Sequence, residues 1–539
     1  MKSLSHISIA LIATALLATS CLDEVPRDQL PEEAAYSTAP LLYANTVATL
    51  YNYIGGTDDS EGLQGPPRGV FDYNTFTTDE AIIPIRGGDW YDGGFWRDLY
   101  QHTWTPYDEP LSDTWNYLYK VVALSNRSLE ILDIYRHLLT DEQYEQYTAE
   151  VRAIRAMFYF YICDLFGQVP IVTSTTVSIH DVKQSKRSEV FRFIVNELTD
   201  VFYLLPNARS TEVGVYYGHI TDQVAAFLLA KLAINAPVYC DDDWMDGARP
   251  EYADIKMTVA GEETDALSAC TYYCEYLSTF YHLEENYETN FALFNEKSQE
   301  NIFTIPMSKT LYRNQFTNLF RSRHYAHGGA LGLDAENGPC ATTDAIRTYI
   351  YPDGSHDYRL YTNFFIGDVY VDGKPVLLAD GSKLYYDPWA VTSIDLSGTP
   401  QEKTAGARMW KYEIDRTAHL DGKLQENDIV LFRYADVLLM LAEAKWRQGK
   451  GGKEELNEVY HRTNPSDDFK EINAETILAE RLMELQWEGW RRPDMIRFGT
   501  FTAARSCKPA PDADNHTIVF PIPADVCEKN LNLRQNPGY

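Results

Sequence analysis

A short glycine-rich loop, residues 86–96, has the densest set of side chains able to hold a ligand. Four glycines flank its acidic and aromatic residues, which are Asp89, Trp90, Tyr91, Asp92 and Trp96. Glycine adopts backbone conformations that other residues avoid, so this composition predicts a shaped loop. Aromatic rings stack on flat ligand faces and carboxylates accept hydrogen bonds, so the loop is a candidate binding site.

A second candidate segment combines aromatic and basic side chains. It starts at Tyr312 and continues through Arg321 and Arg323 to Tyr325. Guanidinium groups donate several hydrogen bonds in a fixed fork, which would suit a ligand with an acidic group. Two alternatives stay open: this segment could be a solvated surface loop, and Trp96 could belong to the core, because large rings mostly pack.

The sequence lacks the motifs of the common catalytic sites, including Gly-x-Ser-x-Gly, His-Glu-x-x-His and the phosphate-binding loop. A glycosidase needs only two suitably separated carboxylates, so the 78 acidic residues leave that alternative open. An acidic run before Gly247 resembles an oxygen-rich Ca²⁺ site but misses the EF-hand spacing by one residue. The run comprises Asp241, Asp242, Asp243 and Asp246. We expect no cofactor, with Ca²⁺ at this run as the exception and a solvated charge run as the alternative.

Four apolar stripes at helical spacing predict the scaffold that positions these loops. They lie within residues 151–165, 225–236, 434–444 and 478–485. The first follows a capping box formed by Thr140 and Gln143. Amphipathic helices that cannot each bury a stripe alone predict stacked helix pairs of the tetratricopeptide kind.

Residues of about 55–110 and 285–430 have a different composition, with Gly, Pro, Asp, Tyr and Trp in short runs. They predict long irregular excursions from the helical scaffold, with short strands near 302–305 and 369–371. Ordered loops of this length usually carry function, so binding is expected here before it is expected on the helices.

The N-terminus resembles a bacterial lipoprotein signal. Lys2 precedes an apolar run over residues 7–18, and small residues lead into Cys21. We expect residues 1–20 to be removed and Cys21 to be lipidated, with an ordinary secretory signal as the alternative. Asp23 and Glu24 follow, as in the surface-export tag of some Gram-negative lipoproteins. Later stretches are too short in apolar residues to span a bilayer, so the lipid would be the membrane anchor.

Composition excludes several classes of protein. The 539 residues are 45% hydrophobic and 23% charged, which is enough apolar content to bury a core. The net charge of −31 argues against nucleic acid, because phosphate binding needs clustered Lys and Arg. If Cys21 is lipidated, an odd number of the 8 cysteines remains, so they cannot all pair internally.

Several segments in order resemble the SusD/RagB family of outer-membrane nutrient-binding lipoproteins. They are EVRAIRAMFYFYICDLFGQVP from residue 150, LFRYADVLLMLAEA from residue 431, ERLMELQWEGWRRPDMIRFG from residue 480, and PIPAD and QNPGY near the C-terminus. Together with the lipoprotein start, they cover nearly the whole chain, although residues 285–430 show no family motif. Charged residues of the third segment, Arg481, Glu484 and Glu488, are spaced to share a helical face and are expected to be structural.

The resemblance implies a mainly α fold: about four tetratricopeptide-like helix pairs with a loop-rich, irregular ligand-binding lobe. It implies one domain over residues 21–539, with helical parts at about 30–285 and 430–539 and a variable lobe at about 285–430. The protein would be lipid-anchored in the outer membrane and exposed at the cell surface. There it would capture oligosaccharide or polysaccharide without catalysis and hand it to a SusC/RagA-like TonB-dependent transporter.

Sugars bind such proteins by stacking their apolar faces on aromatic rings, while polar side chains bind the hydroxyls. The expected glycan-binding residues are Asp89, Trp90, Tyr91, Asp92, Trp96, Tyr312, Arg321, Arg323 and Tyr325. Two alternative functions stay open: a secreted glycoside hydrolase, and a tetratricopeptide scaffold that binds only protein.

Overall fold

The structure is a computed structural model that describes residues 32–464 and 470–539. The predicted signal peptide, residues 1–20, and the predicted lipidation site Cys21 lie outside the described residues. Within the described part of the chain, every helix is too short or too polar to cross a bilayer.

Helices form the frame of the molecule, as predicted. The longer ones are Glu109–Ile134, Asp141–Phe166, Arg187–Val201, Asp222–Ile234, Ala266–Leu277, Tyr434–Arg447, Lys453–Thr463, Ala474–Leu485 and Arg491–Phe498. Shorter α-helices are Glu32–Ala35, Ala39–Tyr43, Thr49–Tyr51, Val70–Thr75, Phe95–Gln101, Ala236–Tyr239, Thr317–Ser322, Tyr325–Leu331, Thr343–Thr348, Leu360–Asn363 and Ala524–Lys529.

The long helices pack in chain order, each against the next, so that they stack as pairs. Glu109–Ile134 packs against Asp141–Phe166, which also contacts the following helix Arg187–Val201. Asp222–Ile234 packs against Ala266–Leu277, and that helix packs against Tyr434–Arg447. The expected tetratricopeptide-like scaffold is confirmed.

Local sequence explains why the central helix of this frame begins and ends where it does. The Thr140 side chain accepts the backbone N–H of Gln143, and Gln143 reaches back to the Thr140 N–H, which completes the predicted capping box. The helix Asp141–Phe166 stops at Gly167, whose φ of 70° favours glycine. From Ala149 onward nearly every side chain is buried, because helices cover both sides.

Residues 278–433 form one long insertion between two packed helices, Ala266–Leu277 and Tyr434–Arg447. Most of the short strands of the chain lie in this lobe. The strands are Ala81–Ile82, Lys256–Val259, Glu262–Asp265, Asn301–Ile305, Cys340–Ala341, Phe364–Phe365, Gly367–Asp368, Tyr370–Val371, Lys374–Pro375, Tyr385–Tyr386, Arg408–Met409 and Ile429–Arg433.

The two ends of the lobe are tied together by a buried antiparallel pair. Asn301–Ile305 pairs with Ile429–Arg433, with Ile305 opposite Ile429. All ten residues of the pair are buried. The strand predicted near 302–305 is therefore confirmed, and it fixes the lobe to the helical frame.

The charged residues of the third family segment are buried and structural, but their predicted pairing is wrong. Arg481 contacts Asp436 at 2.8 Å and Asp494 at 2.7 Å, rather than Glu484 or Glu488. The helix ends at Leu485, so Glu488 lies beyond it instead of on its face. The reason is that tertiary partners on neighbouring helices, rather than spacing within one helix, set which charges meet.

Glu484 and Glu488 instead surround Arg433, which is fully buried. Arg433 binds Glu300 at 2.7 Å and Glu488 at 2.8 Å, and it also contacts Glu484. Arg359 reaches Glu484 from the lobe at 2.7 Å. These guanidinium groups hold the pKa of Glu484 well below its usual range despite the cost of burial. The network joins the lobe to the C-terminal helices.

Candidate functional site

Six of the nine predicted ligand-binding side chains line one open cleft of about 600 Å³. They are Asp89, Trp90, Asp92, Trp96, Arg321 and Tyr325. The other lining residues are Thr57, Asp59, Pro67, Arg68, Gly88, Gln315, Thr317, Glu336 and Lys423. The cleft therefore lies between the predicted glycine-rich loop, a loop at 57–68 and three segments of the lobe.

The glycine-rich loop reaches the cleft through a run of left-handed backbone conformations. Trp90 has φ 64° and Asp92 has φ 40°, and both are conformations that bulky side chains rarely adopt. Glycines with positive φ stand on either side, with Gly88 at 103° and Gly94 at 98°. This path places Trp90 at the edge of the core, where it is partly buried, and a short 3-10 helix, Asp92–Gly94, follows it. It ends where the helix Phe95–Gln101 begins.

Trp90 forms a fixed aromatic shelf in the cleft. Its Nε1 donates a 2.9 Å hydrogen bond to the backbone oxygen of Glu336. Its ring lies against Gly338, where an added Cβ would stand 2.4 Å from the ring. Trp96 lies beneath it, with 5.9 Å between ring centroids and 59° between planes. Because both the polar edge and the underside are held, the remaining surface of the ring faces the cleft in one orientation.

Trp96 is nearly fully buried and supports a chain of polar contacts in the cleft wall. Its Nε1 donates to Asp92 Oδ2 at 2.8 Å. Arg68 bridges Asp92 at 2.9 Å and Asp59 at 2.7 Å. The Arg68 guanidinium also lies 5.8 Å from the Trp96 ring centroid. Both aspartates therefore form ion pairs with Arg68. Trp96 belongs to the core and also lines the cleft.

Asp89 joins the glycine-rich loop to the lobe through two contacts. Lys403 Nζ lies 2.6 Å from Asp89 Oδ2, and the Tyr325 hydroxyl donates to the same oxygen at 3.1 Å. The lysine hydrogen bond holds the pKa of Asp89 below its usual value. Partial burial and the Asp89 carboxylate raise the pKa of Tyr325 to about 12, so its hydroxyl remains a neutral donor and acceptor.

Arg321 lies at the floor and is committed to a buried ion pair. It donates to both oxygens of Asp72, at 2.8 and 2.7 Å, and to Asn318 Oδ1 at 2.6 Å. Its guanidinium stands 5.8 Å from the Trp96 ring centroid. Both Nη groups are engaged and the unpaired Nε is buried, so Arg321 supports the floor and leaves little hydrogen-bonding capacity for a ligand.

Two charged lining residues are free of ion pairs among the residues that the structure describes and can therefore form hydrogen bonds with a ligand. Within residues 32–464 and 470–539, Glu336 and Lys423 have no oppositely charged partner within 4.0 Å. Burial raises the pKa of the Glu336 carboxyl. Lys423 Nζ lies 4.6 Å from the Phe320 ring centroid. Together with the Trp90 and Tyr325 rings, these groups can combine stacking with hydrogen bonds to hydroxyls.

A cluster of buried arginines stands behind the shelf. Arg86 Nη2 donates to the Ala405 oxygen at 2.9 Å, and Arg408 Nη1 donates to the Gly338 oxygen at 3.2 Å. Burial and the neighbouring Arg408 lower the pKa of Arg86 to about 9. Arg408 therefore fixes the backbone of Gly338, on which the Trp90 ring rests.

The structure does not bring the other three predicted residues into this cleft. Tyr91 is half exposed beside it and is not a lining residue. Arg323 is buried within the lobe, where desolvation lowers its pKa to about 10. Tyr312 lines a neighbouring cleft of about 550 Å³, which shares Thr57 with the first. Trp104 and Trp115 are buried in the core.

Sequence reasoning missed Arg68, Gln315, Glu336, Lys403 and Lys423. They come from five separate parts of the chain and meet only in the folded protein. All five lie in the irregular regions 55–110 and 285–430 where binding was expected, but only Gln315 lies within one of the two candidate segments. A polar side chain alone in a loop carries no local signal that distinguishes a lining residue from a solvated one.

The acidic run considered for Ca²⁺ makes hydrogen bonds within the protein. Asp242 accepts the Ser188 N–H and hydroxyl, each at 2.9 Å, and Asp241 accepts the Asp243 N–H at 3.1 Å. In the described ranges, groups of three or more His, Cys, Asp or Glu side chains placed to hold a metal ion were not found. The seven cysteines in those ranges are free thiols.

Two family profiles match separate parts of the chain. Residues 75–234 match a family described as starch-binding and associating with the outer membrane. Residues 340–509 match the SusD family. The second match includes much of the lobe for which the sequence showed no recognisable motif.

Individual proteins align over most of the chain. The starch-binding protein SusD of Bacteroides thetaiotaomicron is 25% identical, and the alignment covers 92% of this chain and 91% of SusD. A SusD-like protein of Bacteroides ovatus is 24% identical over 77% of this chain and 68% of its own.

Solved structures share the fold. A SusD-like protein of Bacteroides fragilis superposes with a TM-score of 0.70 at 18% identity, covering 95% of this chain and 99% of that one. Surface glycan-binding protein A of Bacteroides thetaiotaomicron, solved in complex with laminarihexaose, gives 0.67 at 17% identity, covering 91% and 98%.

Proposed function

The chain belongs to the SusD/RagB family, and from that premise we propose that it is a cell-surface glycan-binding lipoprotein. It captures oligosaccharide or polysaccharide in the cleft around Trp90 and hands it to a SusC-like TonB-dependent transporter. Cys21 carries the lipid that anchors it in the outer membrane, after removal of residues 1–20. Starch binding by the SusD relative and the laminarihexaose complex of a structural neighbour support a glycan as ligand.

The observation that carries the proposal is the fixed Trp90 shelf within a polar frame. A pyranose ring presents an apolar C–H face that stacks on an indole. Trp90 is held by Glu336 and Gly338, so little side-chain entropy is lost when a sugar binds. Lys423 and the Glu336 carboxyl are placed to bind hydroxyls at the rim of the stacked sugar.

The same geometry favours capture over hydrolysis. A glycosidase needs two carboxyl groups that flank the scissile bond, one as acid and one as base or nucleophile. The cleft has four carboxylates, but Asp59 and Asp92 bind Arg68, and Asp89 binds Lys403. Glu336 is left without a second free carboxylate to act with it.

The test uses the chain without residues 1–21, which is screened on a glycan array and then titrated calorimetrically with the glycan found. Trp90→Ala should raise the Kd at least fivefold, since an aromatic stacking contact contributes about 1 kcal/mol. Trp389→Ala is the matched control, because Trp389 is 44% exposed and lies outside the cleft. Unchanged affinity in Trp90→Ala would remove the cleft assignment.

The alternatives predict different outcomes. Release of shorter sugars from the bound glycan would indicate a hydrolase, and failure to bind any glycan would favour a protein-binding scaffold. The anchor is tested separately: Cys21→Ala should move the full chain from the outer-membrane fraction to the soluble fraction. Retention of that variant in the membrane would refute the lipid anchor.

A further inference from the structure

A second aromatic platform lies on the lobe, away from the Trp90 cleft. The Trp410 ring stacks on Phe365 with 4.5 Å between centroids and 7° between planes. Trp410 is nevertheless 36% exposed. Because Phe365 covers one face, the exposed part of the indole is its other face and edge. A rigid ring with one open face is the surface that a sugar ring stacks on.

The backbone holds this ring in place. The Trp410 N–H donates to the Asn363 oxygen at 2.9 Å, and the Lys411 N–H donates to the Thr362 oxygen at 2.9 Å. Lys411 has φ 41° and points inward, where its Nζ lies 2.5 Å from Glu488 Oε1. The turn thus sends the lysine into the core and leaves the tryptophan outside.

Trp410 forms one wall of a cleft of about 470 Å³. The other lining residues are Asn286, Glu288, Thr289, Ala292, Lys411, Glu413 and Ile414. Glu288 and Glu413 each have one carboxylate oxygen engaged, Glu288 by the Tyr358 hydroxyl at 3.1 Å and Glu413 by the Leu293 N–H at 2.8 Å. Their other oxygens remain available to accept hydroxyl groups.

The charges of this cleft select its ligand. Lys411 is the one cationic lining residue within the described ranges, and it is bound to Glu488. Two exposed carboxylates face the opening, so an anionic ligand would be repelled. A neutral sugar meets both demands of the cleft, because it has an apolar face for Trp410 and hydroxyls for the carboxylates.

We propose that Trp410, Glu288 and Glu413 form a second carbohydrate site, which takes a neutral hexose unit of the glycan. The site shares no lining residue with the Trp90 cleft. The proposal rests on the proposed glycan-binding function and extends it: two sites on one chain would hold a polysaccharide at two points and increase its avidity without new contacts at either.

The experiment reads each tryptophan separately. The chain without residues 1–21 is labelled with 5-fluorotryptophan, and the fluorine resonances of Trp90, Trp410 and Trp389 are assigned with single Phe variants. Laminarihexaose and maltohexaose are then added up to 10 mM, with a trimer of galacturonic acid as the anionic probe. We expect a saturable change in the chemical shift of Trp410 with at least one hexasaccharide. The Trp389 resonance should not shift, and the galacturonic acid trimer should not shift the Trp410 resonance.

The same shift should persist in Trp90→Ala, and Trp410→Ala should raise the Kd for the corresponding polysaccharide at least fivefold in affinity electrophoresis. A shift of Trp90 without a shift of Trp410 would overturn the second site and leave the proposed function intact. A shift of Trp410 without one of Trp90 would support the second site and refute the first cleft. If neither the Trp90 nor the Trp410 resonance shifted, both proposed sites would be refuted for neutral hexoses. A larger shift of Trp410 with the galacturonic acid trimer than with the hexasaccharides would refute the charge argument.

Discussion

Gly338→Ala tests the Trp90 shelf without touching a residue that contacts the ligand. The φ of Gly338 is not in the left-handed region, so alanine fits the backbone and acts only through its methyl group. That methyl carbon would lie 2.4 Å from Cε2 and Cζ2 of the Trp90 ring, whereas ordinary contact begins at 3.4 Å. The ring must therefore retreat by about 1 Å, since side chains in contact cannot overlap.

The retreat has a cost that can be worked from the contacts. It strains the 2.9 Å hydrogen bond from Trp90 Nε1 to the Glu336 oxygen, and such a bond contributes about 1 kcal/mol. It also tilts the ring away from the stacking plane, which is worth about another 1 kcal/mol. The hydrogen-bond loss is the same in the free and the bound protein and lowers only the free energy of unfolding. Glycan binding should therefore weaken by the stacking loss of about 1 kcal/mol, which raises the Kd about fivefold.

Calorimetric titration of the glycan into wild type, Gly338→Ala, Trp90→Ala and the double variant measures this effect. Since both substitutions act through the same ring, the double variant should bind no more weakly than Trp90→Ala alone. Gly214→Ala is the control, because a Cβ there has open space around it and the φ of Gly214 lies outside the left-handed region. The reasoning would be refuted if the binding free-energy losses of the two single variants added up fully in the double variant. It would also be refuted if Gly338→Ala bound the glycan with wild-type affinity.

Two further predictions concern stability. Glu484→Gln should lower the free energy of unfolding by about 3–5 kcal/mol, because it leaves the buried Arg433 and Arg359 facing a neutral amide. Burial lowers the pKa of His102 to about 4 from its ordinary 6.5, so the unfolded chain binds the proton more readily between those values. Stability should therefore fall by about 3 kcal/mol from this group as the pH drops from 6.5 to 4, and His102→Asn should flatten that slope.

Urea unfolding measures both effects. Glu475→Gln, on the exposed first turn of the same helix, is the control for Glu484→Gln and should change stability little. A loss below about 1 kcal/mol in Glu484→Gln would contradict the buried network as a structural element. For His102, asparagine suits the left-handed backbone at φ 60°. If the free energy of unfolding fell equally in His102→Asn and wild type between pH 7 and 4, His102 would not be the cause of the pH dependence.

The helical frame could be predicted from sequence because its signals are local. Thr140 and Gln143 lie three residues apart and cap the same helix, and the apolar stripe of Tyr434–Arg447 is buried as its period predicts. The strand near 302–305 follows likewise from a short apolar run. These features depend on residues within one turn or strand, so their pattern is readable without knowledge of the fold.

Pairing within the C-terminal segment could not be read in the same way. The spacing of Arg481 and Glu484 indicated contact along one helix, yet each found partners on other elements. Glu488 lies outside the helix because the backbone leaves helical geometry at Gln486, with φ −49° and ψ 131°, and then turns at Trp487, with φ 66°. In a buried environment, a charged residue pairs with the partner that gives the strongest interaction, even if another charged residue is closer along the same helix.

The sequence by itself determined the helical frame, the family and the loop that carries Trp90. Only the tertiary structure decided that Arg321 binds Asp72, that Arg323 is buried within the lobe, and that Glu336 and Lys423 line the cleft. The physical reason is that a binding cleft is made by segments distant in the chain. Whether a charged side chain faces a ligand or a buried partner depends on what those segments bring beside it.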